Sequence, residues 1–538
     1  MTEPPLRRAE WLAVLASCTA ASVAAVLWSW QHHAMLNYGD AVAHLHIARR
    51  IFDSHRPGIT QLGSVWLPLP HLLLVPFVAV YGWWANGIAG TIPSALAYLA
   101  SCAGVYRLAR LWLQPPAAAI ALAFFAANPN LLYLQTTAMT EPLFLCELIW
   151  AVALLVQWRA SVESDHRRAM QLLWLVAAVL VAAVFTRYDG WILALLAWVA
   201  IGIVLLRRGK LRSRAFWLAS VFVVTAPIAW FIYNAAAFGD WLDFARGPYS
   251  AKAIELHTSV GSGPPHPGWH NPWVSLLFFA KTAEMDAAAV AWGNVLLVLS
   301  LLGTAWACLT ARRRAVLWTL LLWLPVPFYA YSIAYGSVPV FIPVWWPHSW
   351  YNTRYGMELL PAFALGLGFA AQFALAAARE FKPRWASYVA GMLFALVVLN
   401  ACEIVRERPL TYVEGTKNIN ARRPLETQIP PVLRALLATR PGGIVLMETS
   451  VYPQLVTLTG IPLRQTINES DKQFYQAALA APAAHAAIVL AFDGDEIDNA
   501  VHAHPGGLIA VQRFTAPGQP SATVYVSNTP ALNKAPAR

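Results

Sequence analysis

Apolar residues along the chain fall into long unbroken runs, and charged residues gather in short clusters between them. Runs near 11–30, 88–112, 117–134, 142–158, 170–186, 190–206, 216–237, 287–309, 315–335, 357–378 and 385–402 approach or reach the length that crosses a bilayer, about 20 residues of helix. The pattern predicts a polytopic α-helical membrane protein with about 11 transmembrane helices. Two intervening stretches are long, 31–87 and 238–286, and both fall on the same side. Within the first, SVWLPLPHLLLVPFVAVYGWW is apolar but interrupted by Pro68, Pro70 and Pro76. Proline removes a backbone donor and kinks a helix, so this segment reads as one or two short interfacial helices, or as a further span.

Beyond residue 402 the pattern changes in kind. Charge rises, and short apolar elements alternate with polar turns. Strands are expected at Ile444–Glu448, Ala487–Phe492, Leu508–Phe514 and Ala522–Val526, with a helix near 430–439 and helical patterns between some of the strands. The division is therefore a membrane domain over 1–402 and a small α/β domain over 403–538, the latter without a glycine-rich phosphate loop.

Composition agrees with the periodicity. Of 538 residues, 58% are hydrophobic and only 12% charged, about half the charge of a soluble domain. The first apolar run continues past Cys18 to Trp30, longer than the core of a signal peptide, so it reads as an uncleaved helix. The net charge of +11 does not indicate nucleic acid, because the basic residues lie between apolar runs. With the N-terminus inside, eighteen Lys and Arg residues, including Arg7, Arg8 and Arg312–Arg314, fall on cytoplasmic segments and eight on outer loops. The positive-inside rule thus places the N-terminus in the cytoplasm and the C-terminal domain outside. The five cysteines lie in or at the ends of apolar runs and show no metal or disulfide spacing. Short loops, the absence of organelle signals and an Ala- and Arg-rich composition suit a bacterial plasma membrane.

The candidate chemistry lies at the outward helix ends. In NYGDAVAHLHIARRIFDS, Asn37 or Asp40 can cap a helix beginning at Ala41, whose Val42, Leu45, Ala48 and Phe52 form the face of an interfacial amphipathic helix. Glu141 sits in TTAMTEPLF, Arg187 and Asp189 in FTRYDGW, and Arg354 and Tyr355 in YNTRYGMELLP. Ionisable groups at membrane depth are costly and usually face a cavity or a partner. Arginine binds phosphate through a planar fork, a carboxylate can take a proton from an attacking hydroxyl, and an apolar groove can hold a polyprenyl tail. His44 shares a helix face with Asp40, which leaves a divalent metal ion as one reading of this loop and interfacial histidines as the other. Trp83, Trp84, Trp345, Trp346 and Trp350 suit an aromatic belt in the membrane lipid headgroups.

The order and placement of these residues resemble the membrane-embedded C-type glycosyltransferases, especially protein O-mannosyltransferases and lipid A aminoarabinose transferases. The likeness rests on YGDAVAHLHIARRIF, WLPLPHLLLVPF, the Glu141–Pro142 pair, TRYDGW and NTRYGMELLP, and spans most of 10–400. It implies inverting transfer from a polyprenyl-phosphate sugar to a glycan, lipid or protein acceptor. By that likeness Asp40 is the general base or lies beside the acceptor, and Glu141 supports the site or a metal. Arg187 and Arg354 hold the donor phosphate, with His44, Asp189 and Tyr355 in support. Relatives usually carry a two-residue acidic motif where Asp40 stands alone, and some carry lysine in place of Arg187. The alternative is a transporter or flippase, although no inverted repeat or mid-membrane helix break is evident.

Overall fold

A computed structural model describes residues 8–258, 264–310 and 314–529; Arg7, Arg312 and Arg313, used above for orientation, lie outside these. The chain clusters into two compact units. One comprises Met1–His32, Ser64–Pro70 and Thr91–Glu414, and the other His33–Gly63, His71–Gly90 and Gly415–Arg538.

The first unit is a helical bundle. Nine helices among the described residues are long and apolar enough to cross a membrane, and the chain is a multi-pass membrane protein. Two further expected spans are shorter apolar helices, Pro115–Ala126 and Asn294–Leu309. The run expected at 117–134 breaks at Asn128, whose side chain accepts from the backbone of Asn130 and Leu131 and starts a separate helix at Pro129. Proline is well placed at a first helical position because its missing N–H has no partner to lose. The run expected at 287–309 starts late because Ala288 is extended, ending the preceding Pro272–Ala287 helix.

Small residues bring the spans together, as membrane helices require. A Cβ on Gly303 would stand 2.1 Å from the carbonyl of Gly366. Hydroxyls and amides supply further contacts: Ser22 to Gln135 at 2.9 Å, Ser29 with Thr136 at 2.8 Å, and Thr91 and Ser94 to the carbonyls of Thr136 and Thr137 at 2.7 Å. These fix the turn that leads into the Glu141–Ser161 helix.

In the second unit a five-stranded sheet has the order β2-β1-β3-β5-β4. β1 (Val445–Leu446), β2 (Thr466–Ile467) and β3 (Ile488–Phe492) are parallel, while β4 (Leu508–Phe514) and β5 (Ala522–Ser527) extend the sheet antiparallel. Leu446, Ile467, Tyr475, Val489, Ile497 and Val501 form its core. Four of the five strands were expected; β2 has two residues and no alternation to betray it. The proline-interrupted segment forms two short helices, Pro68–Val78 and Tyr81–Asn86.

The Gly39–Arg50 helix departs from expectation. Its N-cap is Tyr38, with no side-chain cap, so neither Asn37 nor Asp40 plays that part. Nor does it present one face outward: Ala41, Val42, His44, Leu45, His46, Ile47, Ala48 and Arg49 are all buried. A helix with most of its residues buried does not need the amphipathic pattern of a surface helix.

Candidate functional site

Several interhelical turns of the first unit converge on two arginines. Arg187 caps the end of the His166–Thr186 helix in extended conformation, and Asp189 opens the next helix. The turn is tight enough that a Cβ on Gly190 would lie 2.1 Å from the carbonyl of Ala183. Glycine in TRYDGW is therefore a packing requirement, and it sets where Arg187 points. Arg354 lies on a 3-10 turn, Thr353–Leu359, in which a Cβ on Gly356 would meet Asp286 at 2.5 Å.

Arg187 is surrounded by acceptors. Its Nη2 donates to the Tyr329 hydroxyl at 2.7 Å, and its Nη1 to Thr140 Oγ1 at 3.1 Å and Glu141 Oε1 at 3.3 Å. Its Nε donates to Asp189 Oδ2 at 3.3 Å, and Nη2 also lies 3.1 Å from Glu358 Oε1. Arg354 donates through Nε to the same Glu141 Oε1 at 3.0 Å and through Nη1 to Glu414 Oε1 at 2.8 Å. Glu414 also accepts from the backbone of Asn352 and Thr353. The Tyr329 hydroxyl donates to Glu358 Oε1 at 2.6 Å. The Tyr355 ring centroid lies 5.1 Å from the Arg187 guanidinium carbon and 5.2 Å from that of Arg354, within cation–π range of both.

Two arginines here meet four carboxyls, Glu141, Asp189, Glu358 and Glu414, all buried. If every carboxyl were ionised, the set would carry a formal charge of −2, from +2 and −4. Uncompensated buried charge costs several kcal/mol per ion, so these carboxyls depend on the two guanidiniums and the hydroxyls around them. Glu141 Oε2 and Glu358 Oε2 are buried and have no hydrogen-bond partner among the described residues. One oxygen of Glu141 is thus pinned by both arginines while the other is open. Asp286, beneath the Arg354 turn, has both oxygens without partners, and burial together with the charge of Glu414 pushes its carboxyl well above the usual range.

Glu141, Arg187, Asp189, Arg354 and Tyr355 therefore come together, whereas Asp40 and His44 belong to the second unit. Asp40 is half-buried in the first turn of its helix. The Gly39 backbone N–H donates to Asn418 Oδ1 at 2.8 Å, and Arg422 Nη2 donates to the Asn37 carbonyl at 3.1 Å. His44 Nδ1 faces His71 Nε2 at 2.8 Å. His46 packs against Trp84, and burial, aided by Arg50 and Arg49, pushes it down to about 3. No group of three His, Cys, Asp or Glu among the described residues is placed to hold a metal ion.

Tyr329, Glu358, Glu414 and Arg422 were not anticipated. Glu358 had a signal, since it follows Arg354 by four residues inside an apolar run. Tyr329 and Arg422 had none, because nothing local distinguishes them from neighbouring aromatic and basic residues.

No protein-family model and no curated protein matches the chain. Solved structures do. The chain is similar to ArnT from Cupriavidus metallidurans bound to undecaprenyl phosphate, with a TM-score of 0.59 and 14% identity over 99% of this chain and 100% of that one. It is also similar to the apo form of ArnT from the same organism, with a TM-score of 0.56 and 14% identity over 96% and 98%. At this identity the likeness establishes the fold, that of the C-type membrane glycosyltransferases expected from the sequence.

Proposed function

We propose that this protein transfers a sugar from a polyprenyl-phosphate donor to an acceptor on the outer face of a bacterial plasma membrane, with inversion at the anomeric carbon. The observation that carries the reading is the Arg187–Glu141–Arg354 cluster, a buried carboxylate held by two guanidiniums, in a chain whose fold is similar to that of ArnT bound to undecaprenyl phosphate. The N-terminus is cytoplasmic and residues 403–538 form an extracytoplasmic α/β domain. The sugar and the acceptor class are left open.

In this reading the acceptor hydroxyl attacks the anomeric carbon from the side opposite the phosphate. The new bond forms as the bond from that carbon to the phosphate oxygen breaks, and polyprenyl phosphate leaves. Arg187 and Arg354 take phosphate oxygens in exchange for carboxylate oxygens, which their planar forks match equally well. The attacking hydroxyl loses its proton to a carboxylate, with Asp40 and Glu141 as the candidates.

Purified full-length protein in detergent, given synthetic polyprenyl-phosphate sugars and envelope extracts as acceptor, tests this. Release of polyprenyl phosphate coupled to glycosylated product is expected, and its loss in Glu141→Gln. Wild type that consumes no lipid-linked sugar in detergent, but moves it across liposomes, would instead establish a flippase.

A further inference from the structure

We infer that Arg422, with Asn418, is a positioning residue for Asp40, so that the segment following the membrane bundle serves the transfer reaction directly. The inference rests on the reading of Asp40 as part of the transfer site.

Asp40 lies on a short helix whose N-terminal end is gripped by a second helix, Leu410–Ala438. Two side chains of that helix, one turn apart, make the grip. Asn418 accepts from the Gly39 N–H at 2.8 Å, and Arg422 donates to the carbonyl of Asn37 at 3.1 Å. Residues 418 and 422 share a face by the four-residue spacing of a helix. The backbone leading into Asp40 is therefore held from one surface. The approach is close: a Cβ on Gly39 would stand 3.3 Å from Asn418 Oδ1 and 3.8 Å from Arg422 Cζ.

Arg422 is 6% exposed. Its Nη1 lies 3.4 Å from Glu426 Oε1, and its charge also interacts with that of Asp40. A buried guanidinium is expensive without partners, and the carbonyl of Asn37, Glu426 and Asp40 together supply them. Arg422 thus fixes the backbone at Asp40 and presents the matching charge, without touching the reacting atoms.

The test compares wild type, Arg422→Gln, Arg422→Lys and Asp40→Asn as full chains in detergent, measuring kcat, both KM values and thermal melting. Misplacing a catalytic group by about 1 Å costs on the order of a hundredfold. Arg422→Gln should therefore lower kcat by about ten- to a hundredfold with both KM values unchanged, and Arg422→Lys should recover much of it. Because Arg422→Gln leaves Glu426 unpaired, the double variant Arg422→Gln/Glu426→Gln guards against a trivial folding loss and should show the same kcat deficit. If the double variant melts like wild type and turns over like wild type while Asp40→Asn is inactive, the positioning role is wrong and the site reading survives. If Asp40→Asn is itself fully active, the site reading fails and the inference with it.

Discussion

Glu141 and Arg354 lie 213 positions apart in sequence and meet through one short contact, Glu141 Oε1 accepting from Arg354 Nε at 3.0 Å. That oxygen also accepts from Arg187, so a single carboxylate ties the start of the Glu141–Ser161 helix to the turn at Arg187 and to the late 3-10 turn. An acid-proline pair and two arginines that look unrelated along the chain act as one electrostatic unit. Removing any member changes the charge seen by the others.

Arg354 tests the structural side of this unit. Truncation to alanine strips a buried counter-charge from Glu141 and Glu414, and breaking a buried pair in this way costs about 3–5 kcal/mol. Arg354→Ala should melt well below wild type in detergent. Adding Glu414→Gln should restore part of the loss, since one orphaned charge is then removed. Differential scanning fluorimetry at fixed pH measures both.

Tyr329 tests the network's internal order. Its hydroxyl accepts from Arg187 and donates to Glu358, while its ring stacks on Phe279 at 4.7 Å and on Tyr355 at 5.1 Å. Tyr329→Phe keeps the stacking and removes only the hydroxyl. Hydrogen bonds to charged groups are worth about 1.5–3 kcal/mol, so turnover should fall about ten- to a hundredfold with normal membrane levels. Steady-state kinetics beside quantitative immunoblotting separate the two effects.

The glycines make a sharper structural prediction. At Gly190 an added methyl group meets backbone, the Ala183 carbonyl at 2.1 Å, whereas at Gly391 nothing lies within 4 Å. Gly190→Ala should reduce folded protein in membranes severely. Gly391→Ala should be neutral, or slightly stabilising through better helix propensity. Yields of monodisperse protein after detergent extraction compare them.

Two groups in the second unit give opposite pH dependences. Burial, reinforced by Asp495 and Glu469, pushes the Glu448 carboxyl up to about 7 from an ordinary 4.5. The folded chain holds that proton more tightly than the unfolded one, so the stabilising contribution is full below about 4.5 and is lost as pH rises through 7. Glu448→Gln should raise the melting temperature at pH 8 and leave it unchanged at pH 4. His46 works the other way. Its imidazole is held down to about 3 from 6.5, so the unfolded chain takes the proton first. Its contribution is full above about 6.5 and declines as pH falls toward 3. Melting temperatures across pH 4–8 for wild type and Glu448→Gln resolve the two slopes.

Much of this was legible in the sequence, for physical reasons. Spans announce themselves because hydrocarbon tolerates few charges, and the same rule exposed Glu141, Arg187, Asp189 and Arg354 as exceptions. β3, β4 and β5 were legible as apolar runs bounded by turns. What escaped was set by long-range packing. The Gly39–Arg50 helix carries an amphipathic pattern yet is mostly buried, because segments far along the chain pack against it. Tyr329, Glu414 and Arg422 acquire their roles from partners 29 to 385 positions away. Helix breaks at Asn128 and Ala288 depend on capping and local backbone angles that hydropathy does not weigh.

The most direct measurement is mass spectrometry of envelope glycans and lipid-linked sugars in a strain lacking the gene, complemented at matched membrane levels with wild type or Glu141→Gln. The account predicts that wild type restores a missing sugar modification, while Glu141→Gln inserts normally, restores none and accumulates polyprenyl-phosphate donor. Full restoration by Glu141→Gln, or no change in any glycan on restoring wild type, would contradict it.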